Sequence, residues 1–285
     1  MYRIACLTAL LLLSASASAA EPAVHRDLSY AEPKNERQSL DVYTVAGAKN
    51  RPVVFWIHGG GWRRGDKQEM HHKPQALVDA GYVFVATNYR FVPNVDIREQ
   101  TGDIAKAIRW TRDHAAEYGG DGSKIVVMGH SAGAHLAALV CTDDAYLKKE
   151  GLDLSIIKGC MPVDVSVYDL PKRFKDGPPP GSTYTGVFGT EEKQHREYSP
   201  TTYIAKDKFI PPFLILYVAD RPETKVQSEW LAEKLQAVGV SATVVGAEGK
   251  THGTINSDLG LPDDPSTKAM LKFLQDTVMP QPSGT

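Results

Sequence analysis

The sequence of 285 residues lacks a dominant charge of either sign. It contains 32 lysines and arginines against 34 aspartates and glutamates, which gives a formal net charge of −2 at pH 7. No stretch of basic residues is dense enough to neutralise a series of phosphates, as nucleic-acid binding requires. We therefore expect no nucleic acid as a partner. At 42% hydrophobic residues, the chain has enough apolar side chains for a sizeable core.

Metal-binding motifs are also missing. The sequence contains neither C-x-x-C nor H-E-x-x-H, and its three cysteines are Cys6, Cys141 and Cys160. We predict no metal and no cofactor. Cys141 and Cys160 lie in apolar segments, so two separate buried thiols and a disulfide in an oxidising compartment are both open readings.

A hydrophobic run long enough to cross a membrane is missing as well. The N-terminus instead combines Arg3, a short apolar stretch over residues 4–13, and small side chains at Ala17 and Ala19. These are the three parts of a cleavable secretory signal. We predict a signal peptide over residues 1–19 and a secreted or periplasmic protein with no stable membrane insertion.

What the sequence does contain is a series of buried-strand patterns. The runs PVVFWI (52–57) and KIVVMG (124–129) are typical of strands covered on both faces. IIKGCMPVDVS (156–166) and PPFLILYVAD (211–220) suggest two further strands. SLDVYTV (39–45) alternates like a half-buried strand, and YVFVATNYR and SATVVGA complete the set.

Helical patterns separate these strands. We expect helices over residues 66–80 with Asp66 as cap, over residues 96–118, and over residues 264–278 with Asp264 as cap. Thr224 and Gln227 form a capping-box pattern before a further helix. The alternation predicts an α/β fold with a mostly parallel central sheet and helices on both faces. We predict one domain over residues 20–285, with a loop-like excursion at 168–208 before the penultimate strand.

The pentapeptide GHSAG, residues 129–133, lies between a predicted strand and a predicted helix and fits the pattern G-x-S-x-G. In such a turn the serine backbone is strained and its hydroxyl is exposed. The positions two residues to either side have room only for glycine. The pattern therefore indicates Ser131 as a nucleophile.

A second glycine motif, HGGGW at residues 58–62, also follows a predicted strand. Its N–H groups can turn toward a developing oxyanion, and we predict Gly60, Gly61 and Ala132 as the oxyanion-binding residues. The alternative is an ordinary glycine turn. The presence of both motifs, in the order that one mechanism requires, favours the first reading.

The segments HGGGWRRGD, NYRFVP, GHSAG, YVAD and THG together resemble the α/β-hydrolase superfamily. The closest resemblance is to HGGG-type bacterial carboxylesterases and lipase-like esterases, which are related to hormone-sensitive-lipase-like and kynurenine-formamidase-like hydrolases. It implies the α/β-hydrolase fold and a catalytic triad in the order Ser, Asp, His. Carried onto this chain, the resemblance implies Ser131 as nucleophile, Asp220 as acid and His252 as base. Glu223 and Asp164 stay open as alternative acids.

Three other histidines lie in or near the two glycine motifs. We expect the ring of His130 to point away from the neighbouring serine hydroxyl. His135 is expected to be a packed histidine with a backbone partner, and His58 to order the glycine turn through its ring nitrogens. None of the three is therefore expected to serve as the base.

The length of the N-terminal segment bears on the substrate. Between the predicted cleavage site and PVVFWI there are too few residues for the helical N-terminal cap of the hormone-sensitive-lipase group, so the chain departs from that pattern. We expect a short-chain or aryl ester, cleaved through an acyl-enzyme, rather than a triglyceride. Tyr184, Phe188 and Tyr198 of the excursion either form a substrate wall or pack against the sheet.

Other functions remain open at this point. An arylformamidase of the kynurenine-formamidase type would use the same triad on an N-formyl amide. An acetyl or feruloyl esterase acting on plant polysaccharide would fit export. A noncatalytic hydrolase-fold binder is disfavoured because serine, acid and histidine are all present. No oligomeric state is predicted.

Overall fold

The structure, a computed structural model, describes residues 21–175, 177 and 184–279. The predicted signal peptide, residues 1–19, lies outside the described residues, as does most of the proline-rich part of the excursion. Eight strands of the described chain form one sheet in the order β1-β2-β4-β3-β5-β6-β7-β8. They are β1 Ala23–Ser29, β2 Ser39–Thr44, β3 Arg51–Ile57, β4 Val83–Thr87, β5 Gly120–His130, β6 Ile157–Val163, β7 Phe213–Val218 and β8 Ala242–Ala247.

The sheet is mostly parallel, as the α/β-hydrolase fold requires, and this prediction is confirmed. β2 pairs antiparallel with β1 and β4, whereas the pairs from β4 through β8 are parallel. In register, Ile57 of β3 lies opposite Gly129 of β5, and His130 of β5 lies opposite Val163 of β6. The carboxyl ends of three adjacent strands therefore meet at one edge of the sheet, where ligands bind in open α/β folds.

Helices cover both faces of the sheet. Side chains of α2, α3 and α8 pack in one hydrophobic cluster, and those of α1 and α10 pack in the other. The helices of the described chain are α1 Lys73–Asp79, α2 Ile97–His114, α3 Ala132–Thr142, α4 Asp144–Lys149, α5 Leu170–Arg173, α6 Thr185–Phe188, α7 Glu192–Glu197, α8 Pro222–Ala237, α9 Thr254–Ser257 and α10 Pro265–Val278.

The period of two in the central strands explains why the sheet divides the core. Along β5, Ile125 and Val127 enter one cluster while Val126 and Met128 enter the other, so both faces of this strand are apolar and buried. β2 is likewise buried along its whole length, although its Asp41 is polar and pairs with Lys67 at 2.8 Å. Our expectation of a half-buried β2 is therefore wrong.

Two of the predicted helix starts are correct and two are wrong. Asp96 caps α2 through a capping box with Glu99, and Asp264 caps α10 by accepting from the Thr267 N–H at 2.7 Å. The helix expected from Asp66 begins only at Lys73, after a series of turns. α8 starts at Pro222 rather than after a cap at Thr224, because proline fits the first helical turn.

The excursion before β7 contains the short helices α5, α6 and α7 in addition to loops. The two cysteines of the described chain, Cys141 on α3 and Cys160 on β6, are free and fully buried. Burial and the adjacent Cys141 thiol raise the pKa of Cys160 well above its usual range. Of the two readings left open above, the structure has the pair of buried thiols.

Candidate active site

The turn between β5 and α3 places Ser131 in a strained backbone conformation. Its φ of 55° and ψ of −120° are unusual for a residue with a side chain. A Cβ atom at Gly129 would lie 2.3 Å from the Gly133 carbonyl oxygen, and one at Gly133 would lie 2.2 Å from the Ile57 carbonyl oxygen. Only glycine fits at either position, as the GHSAG pattern predicts, because the backbone crosses itself so closely.

The Ser131 hydroxyl lies at the end of a chain of three polar side chains. Its Oγ is 2.9 Å from His252 Nε2, and His252 Nδ1 is 2.6 Å from Asp164 Oδ2. The His252 side chain is 43% exposed, whereas the Asp164 side chain is fully buried. The nucleophile-base-acid arrangement of a serine hydrolase is therefore present in its geometry.

The acid in this arrangement is Asp164, so the predicted position of Asp220 needs correction. Asp220 is exposed in the turn after β7, and Glu223 forms an ion pair with Arg221 at 3.1 Å. Asp164 directly follows β6, where its N–H donates to the Leu216 carbonyl at 2.8 Å. β7 thus extends alongside Asp164, and the chain turns away before Asp220 can reach the histidine.

A signal for Asp164 exists in the sequence. It follows the apolar run of β6 directly, and β6 lies beside the strand that carries the nucleophile. Asp220 follows an equally apolar strand, so the sequence pattern alone does not choose between them. The choice depends on the twist and register of three strands, which no local motif encodes.

The electrostatic environment keeps Asp164 ionised. Burial alone would raise its pKa, but hydrogen bonds from His252 and the Val218 N–H, together with the charge of Arg221, outweigh burial and lower the pKa to about 2. The Val218 N–H donates to Oδ1 at 3.0 Å, and the Arg221 guanidinium contacts Oδ2. The carboxylate thus has a partner for each oxygen.

The segment that carries His252 is attached to the core by two side chains. His130 Nε2 donates to the His252 carbonyl oxygen at 2.9 Å, and Lys73 Nζ donates to the Asn256 carbonyl oxygen at 2.7 Å. Lys73 is fully buried with its ammonium 4.5 Å from the centroid of the Trp56 ring. Burial lowers the pKa of Lys73 to about 7, and burial with the nearby His252 and Lys73 lowers that of His130 to about 3.

The glycine loop after β3 lies against Ser131. A Cβ atom at Gly59 would be 3.2 Å from the Ser131 Cβ, so the loop backbone passes directly over the serine. Gly60 and Gly61 have φ values of +111° and +62° and line the same cleft as Ser131. Ala132 is the first residue of α3, where N–H groups have no acceptor within the helix. Of the predicted oxyanion residues, Gly60 and Gly61 therefore line the cleft with Ser131, and Ala132 follows Ser131 in the chain.

His58 orders the glycine loop, as the sequence suggests. Its Nδ1 donates to the Gly59 carbonyl oxygen at 2.6 Å, and Arg37 lies 3.3 Å from Nε2. The ring stacks on Tyr89 with centroids 4.5 Å apart. Burial lowers the pKa of His58 to about 4, so the ring is neutral and keeps this tautomer at neutral pH.

A family model described as BD-FAE matches residues 40–235, which is more than half of the chain and includes Ser131 and Asp164. The chain belongs to the BD-FAE family. The expected resemblance to α/β-hydrolases is confirmed.

Two curated proteins illustrate the range of BD-FAE relatives. A probable isoprenylcysteine alpha-carbonyl methylesterase of Arabidopsis thaliana is 28% identical over 90% of this chain and 56% of its own length, so the chain spans little more than half of that relative. A kynurenine formamidase of Danio rerio is 29% identical over 87% of this chain and 81% of its own.

Among solved structures, a thermophilic esterase from Thermogutta terrifontis has a TM-score of 0.68 and 26% identity, covering 94% of this chain and 95% of its own. The named relatives and this neighbour are thus a methylesterase, a formamidase and an esterase.

In the BD-FAE chain, aromatic side chains connect the described part of the excursion to α3, the helix that follows Ser131. His135 Nε2 donates to the Tyr198 carbonyl oxygen at 2.7 Å, and its Nδ1 accepts from Trp62 Nε1 at 3.3 Å. His135 is therefore a packed histidine with a backbone partner, as expected. Phe188 and Tyr198 are buried in the same cluster, so they pack inward, whereas Tyr184 is only half-buried.

A cleft of about 760 Å³ opens over Ser131 in this BD-FAE site. Besides the glycine loop, Ser131 and His252, it is lined by His130, Arg63, Arg64, Glu69 and Asn256. No aliphatic side chain and no Phe, Tyr or Trp is among the described residues that line it. The side chains that line the cleft around Ser131 are thus polar or charged.

Two absences concern only the described part of the BD-FAE chain. Within residues 21–175, 177 and 184–279, no group of three or more His, Cys, Asp or Glu side chains is arranged to hold a metal ion. No helix in those same ranges has the length and apolarity needed to span a bilayer.

Proposed function

We propose that the chain is a serine carboxylic-ester hydrolase that acts on short-chain or aryl esters through Ser131, His252 and Asp164. The observation that carries this proposal is the unbroken series of contacts from Ser131 Oγ through the His252 ring to Asp164, at 2.9 and 2.6 Å. The distances are those at which a base can take a hydroxyl proton.

The reaction has two halves. His252 Nε2 takes the Ser131 proton as Oγ attacks the ester carbonyl, and it returns a proton to the leaving alcohol when the C–O bond breaks. Asp164 accepts from Nδ1–H, which fixes the tautomer and stabilises the ring while it carries both protons. Water then attacks the acyl-enzyme by the same route and releases the acid.

The negative charge that develops on the carbonyl oxygen requires donors close to Ser131. We propose the N–H groups of Gly60, Gly61 and Ala132 for this task, each typically worth about 3 kcal/mol of transition-state stabilisation. The support is their position around the serine, with the loop backbone directly over it and Ala132 at the start of α3.

The polar lining of the cleft supports a small or polar substrate. Long acyl chains need apolar side chains to cover them, and the described lining around Ser131 supplies arginine, glutamate, asparagine, histidine and glycine instead. We therefore expect acetate and butyrate esters to react faster than octanoate or longer esters.

A p-nitrophenyl ester series with Ser131→Ala as the blank tests the proposal. Wild type should hydrolyse the short esters, and Ser131→Ala should lower kcat/KM by at least about 10⁴-fold. A fluorophosphonate should add its mass to the peptide that contains Ser131 in wild type only. Full activity of Ser131→Ala would disprove the mechanism, and preference for long chains would disprove the substrate class.

An N-formyl arylamine amidase is the second candidate. The observation that favours it is the similarity to a kynurenine formamidase over most of both chains. The same three side chains would cleave a formyl amide, with His252 giving its proton to the leaving amine. N-formylkynurenine and a feruloyl sugar ester therefore belong in the same panel, and the largest kcat/KM identifies the substrate class.

We also propose that the mature chain is exported and begins after residue 19 or 20. The support is the sequence pattern of Arg3, the apolar stretch and the small residues before the cleavage position. N-terminal mass spectrometry of the protein from its native host tests this, since an uncleaved N-terminus in the cytoplasmic fraction would contradict it.

A further inference from the structure

Arg221 is the charged side chain that contacts both the acid and the base of the site. It directly precedes α8, and its Nη1 contacts Asp164 Oδ2 while lying 2.8 Å from His252 Nδ1. On its other side, Nη2 is 3.1 Å from Glu223 Oε1. The Arg221 side chain is 30% exposed and the Asp164 side chain is fully buried. The three charges thus form a row, Asp164–Arg221–Glu223, that ends beside the histidine.

The contacts on Asp164 show how Arg221 can affect the charge of the His252 ring. The same oxygen, Oδ2, receives both the His252 Nδ1–H and the arginine. An aspartate in this position stabilises the doubly protonated ring by its negative charge. When an arginine shares that oxygen, part of the charge is neutralised, and the guanidinium itself opposes a second positive charge on the ring.

We propose that Arg221 is a positioning residue that sets the pH range of hydrolysis, by holding Asp164 in place as an anion and by disfavouring the doubly protonated form of His252. Because hydrolysis needs the free base, Arg221 extends activity to lower pH. Glu223 weakens this effect by neutralising part of the arginine charge. This inference rests on the proposed function, since it concerns the same three reacting side chains.

Other titratable groups face the same place. His130, at the end of β5, lies with its ring centroid 4.5 Å from that of His252, and Lys73 of α1 acts on His130 through its charge. Burial lowers the pKa of His130 to about 3, so it carries no charge in the working range. Arg63, Arg64 and Glu69 of the loop after β3 line the same cleft as His252. These three groups and Lys73 are present in every variant below, so differences between variants report on the row of three charges.

The test is the pH dependence of kcat/KM for a short p-nitrophenyl ester, from pH 4.5 to 9, in wild type, Arg221→Gln, Arg221→Lys and Glu223→Gln. Arg221→Gln should move the midpoint of the acid limb upward by about 1 pH unit, the usual size of the effect of one adjacent charge. Arg221→Lys, which keeps the charge, should restore most of the wild-type position. Glu223→Gln should move the midpoint downward, in the opposite direction.

Arg98→Gln is the matched control, because Arg98 is an exposed arginine paired with Asp96 and Glu197 at the start of α2. Its profile should equal that of wild type. If Arg221→Gln lowers activity equally at every pH, or if Glu223→Gln moves the limb in the same direction as Arg221→Gln, the inference is overturned. Thermal melts check folding, and Glu223→Gln keeps the test open even if Arg221→Gln does not fold. Failure of the Ser131→Ala blank, in contrast, would refute the proposed function itself.

Discussion

Two neighbouring turns at the carboxyl edge of the sheet hold Ser131 and Asp164, and they are built in different ways. Both residues have a positive φ, 55° and 51°. The two turns are joined, because the Ser131 N–H donates to the carbonyl oxygen of Val163 at 2.9 Å. The serine turn depends on close backbone packing that only glycine allows at Gly129 and Gly133. The aspartate turn is held by polar contacts from Val218, Arg221 and His252.

This difference explains why a sequence motif reveals the Ser131 turn and not the Asp164 turn. A backbone crossing that only glycine can fill leaves fixed glycines at fixed spacing, which is the GHSAG pattern. A turn that depends on donors from β7, from the residue before α8 and from the segment after β8 leaves no local trace. Its partners are 54 to 88 positions away in the chain.

The aspartate turn can be broken by removing one charge. Asp164→Asn should lower kcat by about 10⁴-fold, because the amide cannot stabilise the ring and favours the wrong tautomer of His252. Asp220→Asn is the matched control in the turn after β7. Its kcat should stay within about twofold of wild type, because Asp220 is exposed. Steady-state kinetics at pH 8 measures both. A large loss in Asp220→Asn with little change in Asp164→Asn would reverse the assignment of the acid.

The serine turn can be broken by adding one methyl group. In Gly133→Ala the new Cβ would lie 2.2 Å from the Ile57 carbonyl oxygen, so the strand and helix must separate. We expect the free energy of unfolding to fall by at least about 3 kcal/mol. Urea titration followed by tryptophan fluorescence measures this change.

Gly102→Ala provides the control for that experiment. Gly102 lies within α2, and a Cβ there would meet nothing within 4 Å. Alanine should raise the free energy of unfolding by about 0.5–1 kcal/mol, since it restricts the unfolded chain. Equal stability of the two variants would show that the close approach at Gly133 does not exist.

The segment that carries His252 offers a third test, because the buried side chain of Lys73 binds it. The pKa of Lys73 is lowered from 10.5 to about 7 in the folded protein. Below pH 7 the lysine is protonated in both states, and between these two values only the unfolded chain keeps the proton. The unfolded state then binds more protons, so the stability of wild type relative to Lys73→Met should rise with pH.

The expected rise between pH 7 and 9 is on the order of 2 kcal/mol. Urea titrations of both proteins at the two pH values measure it. Lys250→Met, at a partly exposed lysine paired with Asp258 and Asp264, should not produce a rise of this sign. A difference between wild type and Lys73→Met that stays constant with pH would show that Lys73 remains charged in the core.

The sequence predicts most of the fold because the central strands are apolar runs and helices such as α2 and α10 are amphipathic. The structure agrees with the expected parallel sheet, with the tight turn at Ser131 and with the roles expected for His58 and His135. They depend on local periodicity or on glycine sterics, which neighbouring residues encode.

The features that the sequence does not predict depend on distant partners. The burial of β2 follows from its place between β1 and β4, which its alternating letters do not reveal. The choice of Asp164 over Asp220, and the row formed with Arg221, require the register of β5, β6 and β7. The attachment of the His252 segment by Lys73 joins positions 183 residues apart.

The two buried thiols have a practical consequence. Cys141 is on the helix that follows Ser131, and Cys160 is on the strand that leads to Asp164. With no exposed surface, neither can meet a thiol reagent until α3 and β6 separate. In the chain without residues 1–19, which include Cys6, the rate of labelling under native conditions therefore reports how often these two elements separate. Thiol labelling would thus report the transient separation of the helix that follows Ser131 from the strand that leads to Asp164.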